Sequence, residues 1–254
     1  MGIPRVVVGC IDSFSKVAGE GIKRIRNAGA EVIVGVLEKE CRELNKRFFC
    51  FHEKHRPYIF LKWAESADGF ISLPDRTPVW LTDTNDKRTV HKQRAEEMAI
   101  LIGSTTANSD NPSLTTREWY GNNPTRVVFS PKERLNDSLT LLNDNQGVIV
   151  LTDGEPRTIG NVKYVKLNPS LPSRSSQICE ALYNEGIQSL IVEGGQKTLQ
   201  TFINDNTWDE AFIYYGKKSL TNGILAPSIS PNNVEINTKL SSGTRHLLAI
   251  HRHK

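Results

Sequence analysis

The chain has 254 residues, enough to bury a full core in one large domain, or in one domain with a smaller attachment. Its net charge of +4 is a mild excess: no Lys/Arg run is dense, and the basic tail at 245–254 is short, which argues against a nucleic-acid surface and suits an anionic small-molecule ligand. No apolar run has the length of a membrane span, and Met1-Gly-Ile-Pro-Arg5 lacks a signal peptide's hydrophobic region, so no membrane partner is expected and the cytoplasm is the expected location.

In chain order, residues 5–10 carry three consecutive valines and read as a buried strand, residues 19–28 have helical spacing, and residues 31–36 read as a second strand; together they predict a βαβ unit. A long helical stretch over 38–54 mixes charges with Leu44, Phe48 and Phe49 and stops before Arg56-Pro57, where a helix tends to end. The domain boundary is placed there, with 1–55 as the smaller unit and 56–254 as the main one. Residues 58–63 form the next predicted strand, and Lys62 is its anomaly. An ammonium in an apolar strand must reach solvent or meet an anionic or polar partner, because burying it unpaired is very costly. Asp68-Gly69 reads as a turn. A loop at 74–78 leads to Trp80-Leu-Thr82 and then to a helix capped by Asp83 or Thr84 and running to about Met98. On it Val90, Gln93 and Arg94 share a face with Glu97, so Arg94 is either a surface charge or a cation aimed inward at an anion.

Residues 99–102 are a fourth apolar strand, followed by small polar residues from Gly103 to Pro112 that read as a loop, with Asp110 as a loop cap or a substrate contact. Residues 126–129, 148–151 and 164–167 are further strands, and 178–184 is helical. Residues 189–192 then form a buried strand ending at Glu193, Gly194 and Gly195, after which Leu199, Phe202 and Ile203 fall at helical spacing. This is a strand, a tight glycine turn and a helix. Paired glycines let a ligand approach the backbone, and the first amides of the helix point outward, a natural seat for phosphate. The same pattern equally suits an ordinary turn. Residues 211–215 and 247–250 are the last predicted strands.

The four cysteines are scattered and read as reduced, buried small hydrophobes; none of the six histidines has zinc-like spacing to a cysteine or carboxylate. The chain has no G-x-S-x-G elbow, no phosphate-binding P-loop and no G-x-G-x-x-G fingerprint. The residues left with chemistry to offer are Lys62, Asp110 and Glu193, at strand ends that suit orientation and charge stabilisation more than nucleophilic attack.

Several stretches occur together in the order and spacing of one family: Lys62-Trp-Ala-Glu-Ser-Ala-Asp-Gly69, Trp80-Leu-Thr82, Arg94-Ala95, Gly103-Ser-Thr-Thr106 with Asp110-Asn-Pro-Ser-Leu-Thr115, and Val192-Glu-Gly-Gly195 with Thr198-Leu199. From residue 58 onward the chain resembles the reductase domain of the bifunctional riboflavin-biosynthesis deaminase/reductases. Residues 5–53, with Val17-Ala-Gly-Glu-Gly21 and Gly35-Val-Leu-Glu38, resemble the last βαβ and linker helix of their deaminase domain, without the zinc motifs that precede it there. The resemblance implies an α/β fold: a dihydrofolate-reductase-like, mostly parallel sheet with flanking helices, preceded by a partial βαβ remnant of a cytidine-deaminase-like domain. It implies a chain that starts inside the deaminase domain and lacks deaminase activity, and usually a homodimer.

The implied reaction is NADPH-dependent reduction of the ribosyl group of 5-amino-6-(5-phosphoribosylamino)uracil to ribityl. Carried over by motif, the resemblance places NADPH contacts at Ala64, Trp80, Thr106, Asp110, Ser130, Gly194, Gly195, Gln196, Lys197 and Thr198. It places substrate contacts at Pro78, Arg94, Leu114, Arg117 and Glu193, with Arg94 and Arg117 as partners of the phosphate. Lys62 would polarise or protonate the substrate while Asp110 and Glu193 orient its hydroxyls. Pro78 stands where the family commonly has serine, and Asn111 replaces the second aspartate of an Asp-Asp-Pro. Competing readings are another NADPH reductase of this fold acting on a pterin or uracil, and a non-catalytic nucleotide-binding remnant. Metal analysis of the purified chain is expected to find no stoichiometric zinc; one zinc per chain would contradict the expected loss of the deaminase site.

Overall fold

The computed structural model describes residues 2–13, 19–230, 232, 234–241 and 244–251. Val17 and Ala18 of the Val-Ala-Gly-Glu-Gly motif, and residues 252–254 of the basic tail, lie outside them. The first elements are the predicted βαβ unit: β1 (Arg5–Val8), α1 (Glu20–Asn27) and β2 (Glu31–Val34), with β1 and β2 paired in parallel as a two-stranded sheet of their own. β1, read from its valines as buried, instead alternates exposed and half-buried residues, because a two-stranded sheet has too little around it to cover both faces. The predicted long helix is two, α2 (Glu38–Leu44) and α3 (Lys46–Lys54), because Asn45 between them leaves helical geometry and bonds its side chain back to Cys41 O.

α3 docks on the main sheet through charge as well as through buried Phe49 and Cys50. Lys46 pairs with Glu210 at 2.5 Å, Arg47 with Glu97, and the neighbouring Arg56 forks onto Asp209 at 2.6 and 2.7 Å. Asp209 in turn accepts the Ile59 N–H at 2.8 Å. Of the cysteines, Cys50 and Cys179 are buried as expected, whereas Cys10 and Cys41 are half-buried; all four are free.

The chain then builds β3 (Tyr58–Glu65), β4 (Phe70–Ser72), α4 (Thr84–Glu96), β5 (Ala99–Gly103), α5 (Ser104–Asp110), β6 (Thr125–Phe129), α6 (Thr140–Asn143), β7 (Val148–Thr152), β8 (Arg157–Ile159), β9 (Val162–Lys166) and α7 (Arg174–Asn184). It ends with β10 (Ser189–Gly194), α8 (Gln196–Asn204), β11 (Glu210–Tyr215), β12 (Ile224–Leu225), β13 (Val234–Ser241) and β14 (Thr244–His251). The stretch after β5, read from sequence as a loop, is a helix; its run of Ser, Thr and Asn has low helix propensity and is held by its place at the strand end, with Asn111 in the left-handed conformation terminating it.

Among the described residues ten strands form one sheet in the order β13-β14-β11-β3-β10-β5-β6-β7-β9-β8, parallel from β11 to β9 and antiparallel at both ends. Alternation along the strands divides the core. Ile59, Leu61, Trp63, Leu101, Leu190 and Val192 face α7 and α8 with Ile178, Leu182, Leu199 and Phe202. Phe60, Ile100, Ile102, Val128 and Ile191 face the other way, with Ala107, Leu139 and Leu141. Leu61 is fully buried at the centre. Leu61→Ala is expected to lower stability by about 2–5 kcal/mol in urea denaturation, and a loss under about 1 kcal/mol would show that this centre repacks freely.

Candidate active site

The path of the chain through the sheet defines one edge. From β5 it steps outward through β6, β7 and β9, returns to insert β10 between β3 and β5, and then leaves on the other side to β11. The connections therefore diverge beside β10, and in open α/β sheets the carboxyl ends of the strands flanking such a point are where ligands bind. Lys62, Glu193 and the glycine turn all lie there.

Register explains why Lys62 and Glu193 meet. Leu61 of β3 pairs with Val192 of β10, so the next residues of the two parallel strands share the opposite face, that of Phe60 and Ile191. Against β5 the register of β10 shifts between Val192 and Gly194, which makes Glu193 a bulged position; bulges at a strand end re-aim a side chain. Lys62 Nζ and Glu193 Oε2 are 3.8 Å apart, with 15% and 8% of their side chains exposed. The anomaly in the β3 sequence thus resolves as an ammonium beside a carboxylate rather than one that reaches solvent.

Arg94 approaches from α4, a helix started by a capping box between Asp83 and Asp86. Its Nε and one terminal nitrogen donate to the two Glu193 oxygens at 2.7 and 2.8 Å, and its other terminal nitrogen donates to Thr115 O at 3.2 Å. Arg94 therefore points inward and orients Glu193, so its fork is already engaged where the sequence reading assigned it to a substrate phosphate. Burial works to raise the Glu193 pKa, but Arg94 and Lys62 outweigh it and hold the carboxyl at about 2. Burial lowers the Lys62 pKa, Glu193 opposes that, and Arg94 adds to it. Lys62 Nζ also stands 5.6 Å from the centre of the Tyr214 ring, whose hydroxyl donates to buried Gln93 at 3.0 Å.

The second half of the site is two interlocked turns. α8 begins at Gly195 with no side-chain cap, leaving its first amides open to a ligand. A methyl group at Gly195 would lie 2.8 Å from Thr106 Oγ1, and one at Gly103 would lie 2.6 Å from Thr198 Oγ1, so each turn presses a hydroxyl against the other's glycine. At the end of β6, Ser130 Oγ is buried with no hydrogen-bond partner among the described residues. Uncapped amides, glycine-lined backbone and an unpartnered hydroxyl at one edge suit a phosphate-bearing cofactor.

The other residues singled out from the sequence are spread around this centre. Ala64 is half-buried beside Lys62 on β3; Pro78 and Trp80 are exposed, Trp80 with 69% of its surface accessible and Lys87 near its ring. Leu114 is buried at φ +55°, while Arg117 is exposed and donates to Ser113 and Thr115 hydroxyls. Lys197 is exposed and Gln196 half-buried in the first turn of α8. Asp110 is exposed at the end of α5 and accepts a hydrogen bond from Ser109 Oγ at 2.6 Å; no hydrogen bond or ion pair ties it to Lys62, Glu193 or Arg94 among the described residues. Sequence reasoning missed His91 and Tyr214; the i, i+3 spacing of His91 and Arg94 was the available signal for the first. The acidic residue of the turn after β3 has a structural duty: Asp68 accepts from Ser66 Oγ and from the amides of Leu220 and Thr221.

The model of the RibD C-terminal domain matches residues 57–229. The riboflavin biosynthesis protein RibD of Aquifex aeolicus is 32% identical over 243 residues, which takes in 94% of this chain and 68% of that protein. RibD of Synechocystis is 44% identical over 130 residues, 51% of this chain and 35% of the relative. Among solved structures, the Thermotoga maritima diaminohydroxyphosphoribosylaminopyrimidine deaminase/5-amino-6-(5-phosphoribosylamino)uracil reductase superposes with a TM-score of 0.86 at 32% identity, over 99% of this chain and 72% of that one.

The charge cluster makes a prediction about acid stability. Because the folded Glu193 pKa, about 2, lies below the ordinary 4.5, the unfolded chain binds this proton first as pH falls. The stability contributed by ionised Glu193 is present above 4.5 and is lost between 4.5 and 2. Glu193→Gln is expected to flatten that part of the stability profile in urea titrations at stepped pH; an unchanged slope would show that Glu193 is not held ionised.

Proposed function

The chain belongs to the RibD C-terminal domain family, and from that premise we propose that it is the NADPH-dependent reductase of riboflavin biosynthesis, reducing the ribosyl group of 5-amino-6-(5-phosphoribosylamino)uracil to ribityl. The observation that carries this reading is the buried cluster of Lys62, Glu193 and Arg94 beside the glycine turn at the carboxyl edge of the sheet.

NADPH would be held by the α8 amides with Gly194, Gly195, Gln196, Lys197 and Thr198, by Thr106 and Ser130, and by Ala64, Trp80 and Asp110 at the margins. Bound there, it supplies the hydride. The protein's part is to place the sugar, exclude water and move one proton. Lys62 presents its ammonium to the substrate: Glu193 at 3.8 Å lies beyond ordinary hydrogen-bond reach, so N–H donors remain for a ligand oxygen. The depressed Lys62 pKa makes it a better proton donor than a lysine in water. Glu193, kept ionised and fixed by the Arg94 fork, accepts from substrate hydroxyls, with Asp110 as a further acceptor. Arg117, with its guanidinium at the surface, receives the substrate phosphate, and Pro78 and Leu114 line the substrate's path.

Residues 1–55 are, in this reading, the C-terminal part and linker helix of a deaminase-like domain, and 56–254 the reductase domain; the docking of α3 on the main sheet joins the two. The enzyme acts in the cytoplasm as a homodimer. Among the described residues no helix is long and apolar enough to cross a membrane.

Loss of the reduced-nicotinamide absorbance should depend on the deaminated ribosylaminopyrimidine phosphate, and NADPH binding without such oxidation would refute the assignment. Lys62→Met should cut kcat by about 100-fold or more, as expected for removal of a general acid. In the wild type the alkaline limb of the rate profile should lie below pH 10.5, since the donor is lost as pH rises through a lowered lysine pKa. Unchanged turnover in Lys62→Met would remove Lys62 from the chemistry.

A further inference from the structure

α4 carries His91 one helical turn before Arg94, so the two side chains reach the same neighbourhood. His91 is 2% exposed. Its Nδ1 lies 2.9 Å from the backbone nitrogen of Arg117, and since the amide donates, Nδ1 is the bare nitrogen of a neutral imidazole. Burial first, then the charges of Arg94 and Arg117, disfavour protonation, so the ring remains an acceptor. The charged groups facing it are Arg94 from its own helix, Arg117 and Glu118 from the loop, and Glu193 from β10.

A second tie runs from the same helix to the same loop. Arg94 donates to Thr115 O at 3.2 Å, and the Arg117 guanidinium folds back to the Thr115 hydroxyl at 2.9 Å and to the Ser113 hydroxyl. Leu114 between them is buried in the left-handed conformation. The loop is therefore clasped to α4 at two backbone points, and the clasp at His91 is the one that sets the residue bearing the exposed guanidinium.

We propose that His91 is a positioning residue, which fixes the Arg117 backbone so that its guanidinium meets the phosphate of the substrate. This rests on the reading above, in which Arg117 receives that phosphate. His91 never touches substrate itself; it acts through one backbone hydrogen bond. A protonated imidazole cannot accept that bond and would set a further cation beside Arg94 and Arg117, so the neutral ring is the working form.

The test compares steady-state kinetics on 5-amino-6-(5-phosphoribosylamino)uracil and on the same compound without its phosphate. His91→Leu, which removes the acceptor, should raise KM for the phosphorylated substrate roughly tenfold, the loss expected of one buried hydrogen bond, while kcat stays within about twofold and KM for the dephosphorylated compound is unchanged. His91→Asn, which keeps an acceptor near Nδ1, should recover most of the affinity. If His91→Leu does not fold, His91→Gln replaces it, being polar and of similar length but with its amide nearer the Nε2 position, and the same selective loss is expected. An equal rise in KM for both substrates, or a fall in kcat at constant KM, would overturn the proposal. Arg117→Ala separates the two layers. If it treats both substrates alike, the phosphate reading falls and the positioning role with it; if it is selective for phosphate while the His91 variants are not, only the positioning role falls.

Discussion

Glu193 is an anion held between two cations, Arg94 and Lys62, where little solvent reaches. An isolated carboxylate in such a place would cost several kcal/mol and would take up a proton instead. The forked contact with Arg94 reverses that preference, and the proximity of Lys62 adds to it. The three groups together leave one net positive charge, and Lys62, whose ammonium is the least firmly held, carries the strain of burial as a lowered pKa. A site with this balance favours an anionic ligand and contains a lysine ready to part with a proton.

This cluster exists because of sheet topology. Lys62 and Glu193 are more than a hundred residues apart, yet the insertion of β10 beside β3 makes them cross-strand neighbours, and the register against Leu61 and Val192 puts them on the same face. The bulge against β5 turns Glu193 toward α4, where the capping box and the burial of His91 and Gln93 fix the helix that delivers Arg94. On the adjoining side, Gly103 and Gly195 let α5 and α8 start close together, with the Thr106 and Thr198 hydroxyls in the gap. The apolar face behind, from Ile59 and Leu61 to Leu199 and Phe202, is what keeps these strand ends in place.

Much of this was legible in the chain. The apolar runs before Gly103 and Gly195 announced buried parallel strands, and Lys62 stood out because an ammonium in such a run demands a partner. What the sequence could not show was which partner. Pairing of β3 with β10 is a long-range event, and the bulge at Glu193 leaves no local signature. α5 escaped notice because Ser104 to Asp110 has the composition of a loop, and its helical form comes from tertiary context. Arg94 stood between a surface role and an inward one until the path of α4 decided it, and His91 went unremarked because its function lies in a backbone contact with Arg117.

A crystal structure with NADP+ and the ribitylamino product bound tests the central claim most directly. The expected result has the cofactor's phosphates against the Gly195 turn and the first amides of α8, the sugar between Lys62 and Glu193 and the substrate phosphate at Arg117. Ligands found instead in the open cleft formed by α2, α3 and Asp209, on the far side of the sheet's parallel strands from their carboxyl ends, would contradict it.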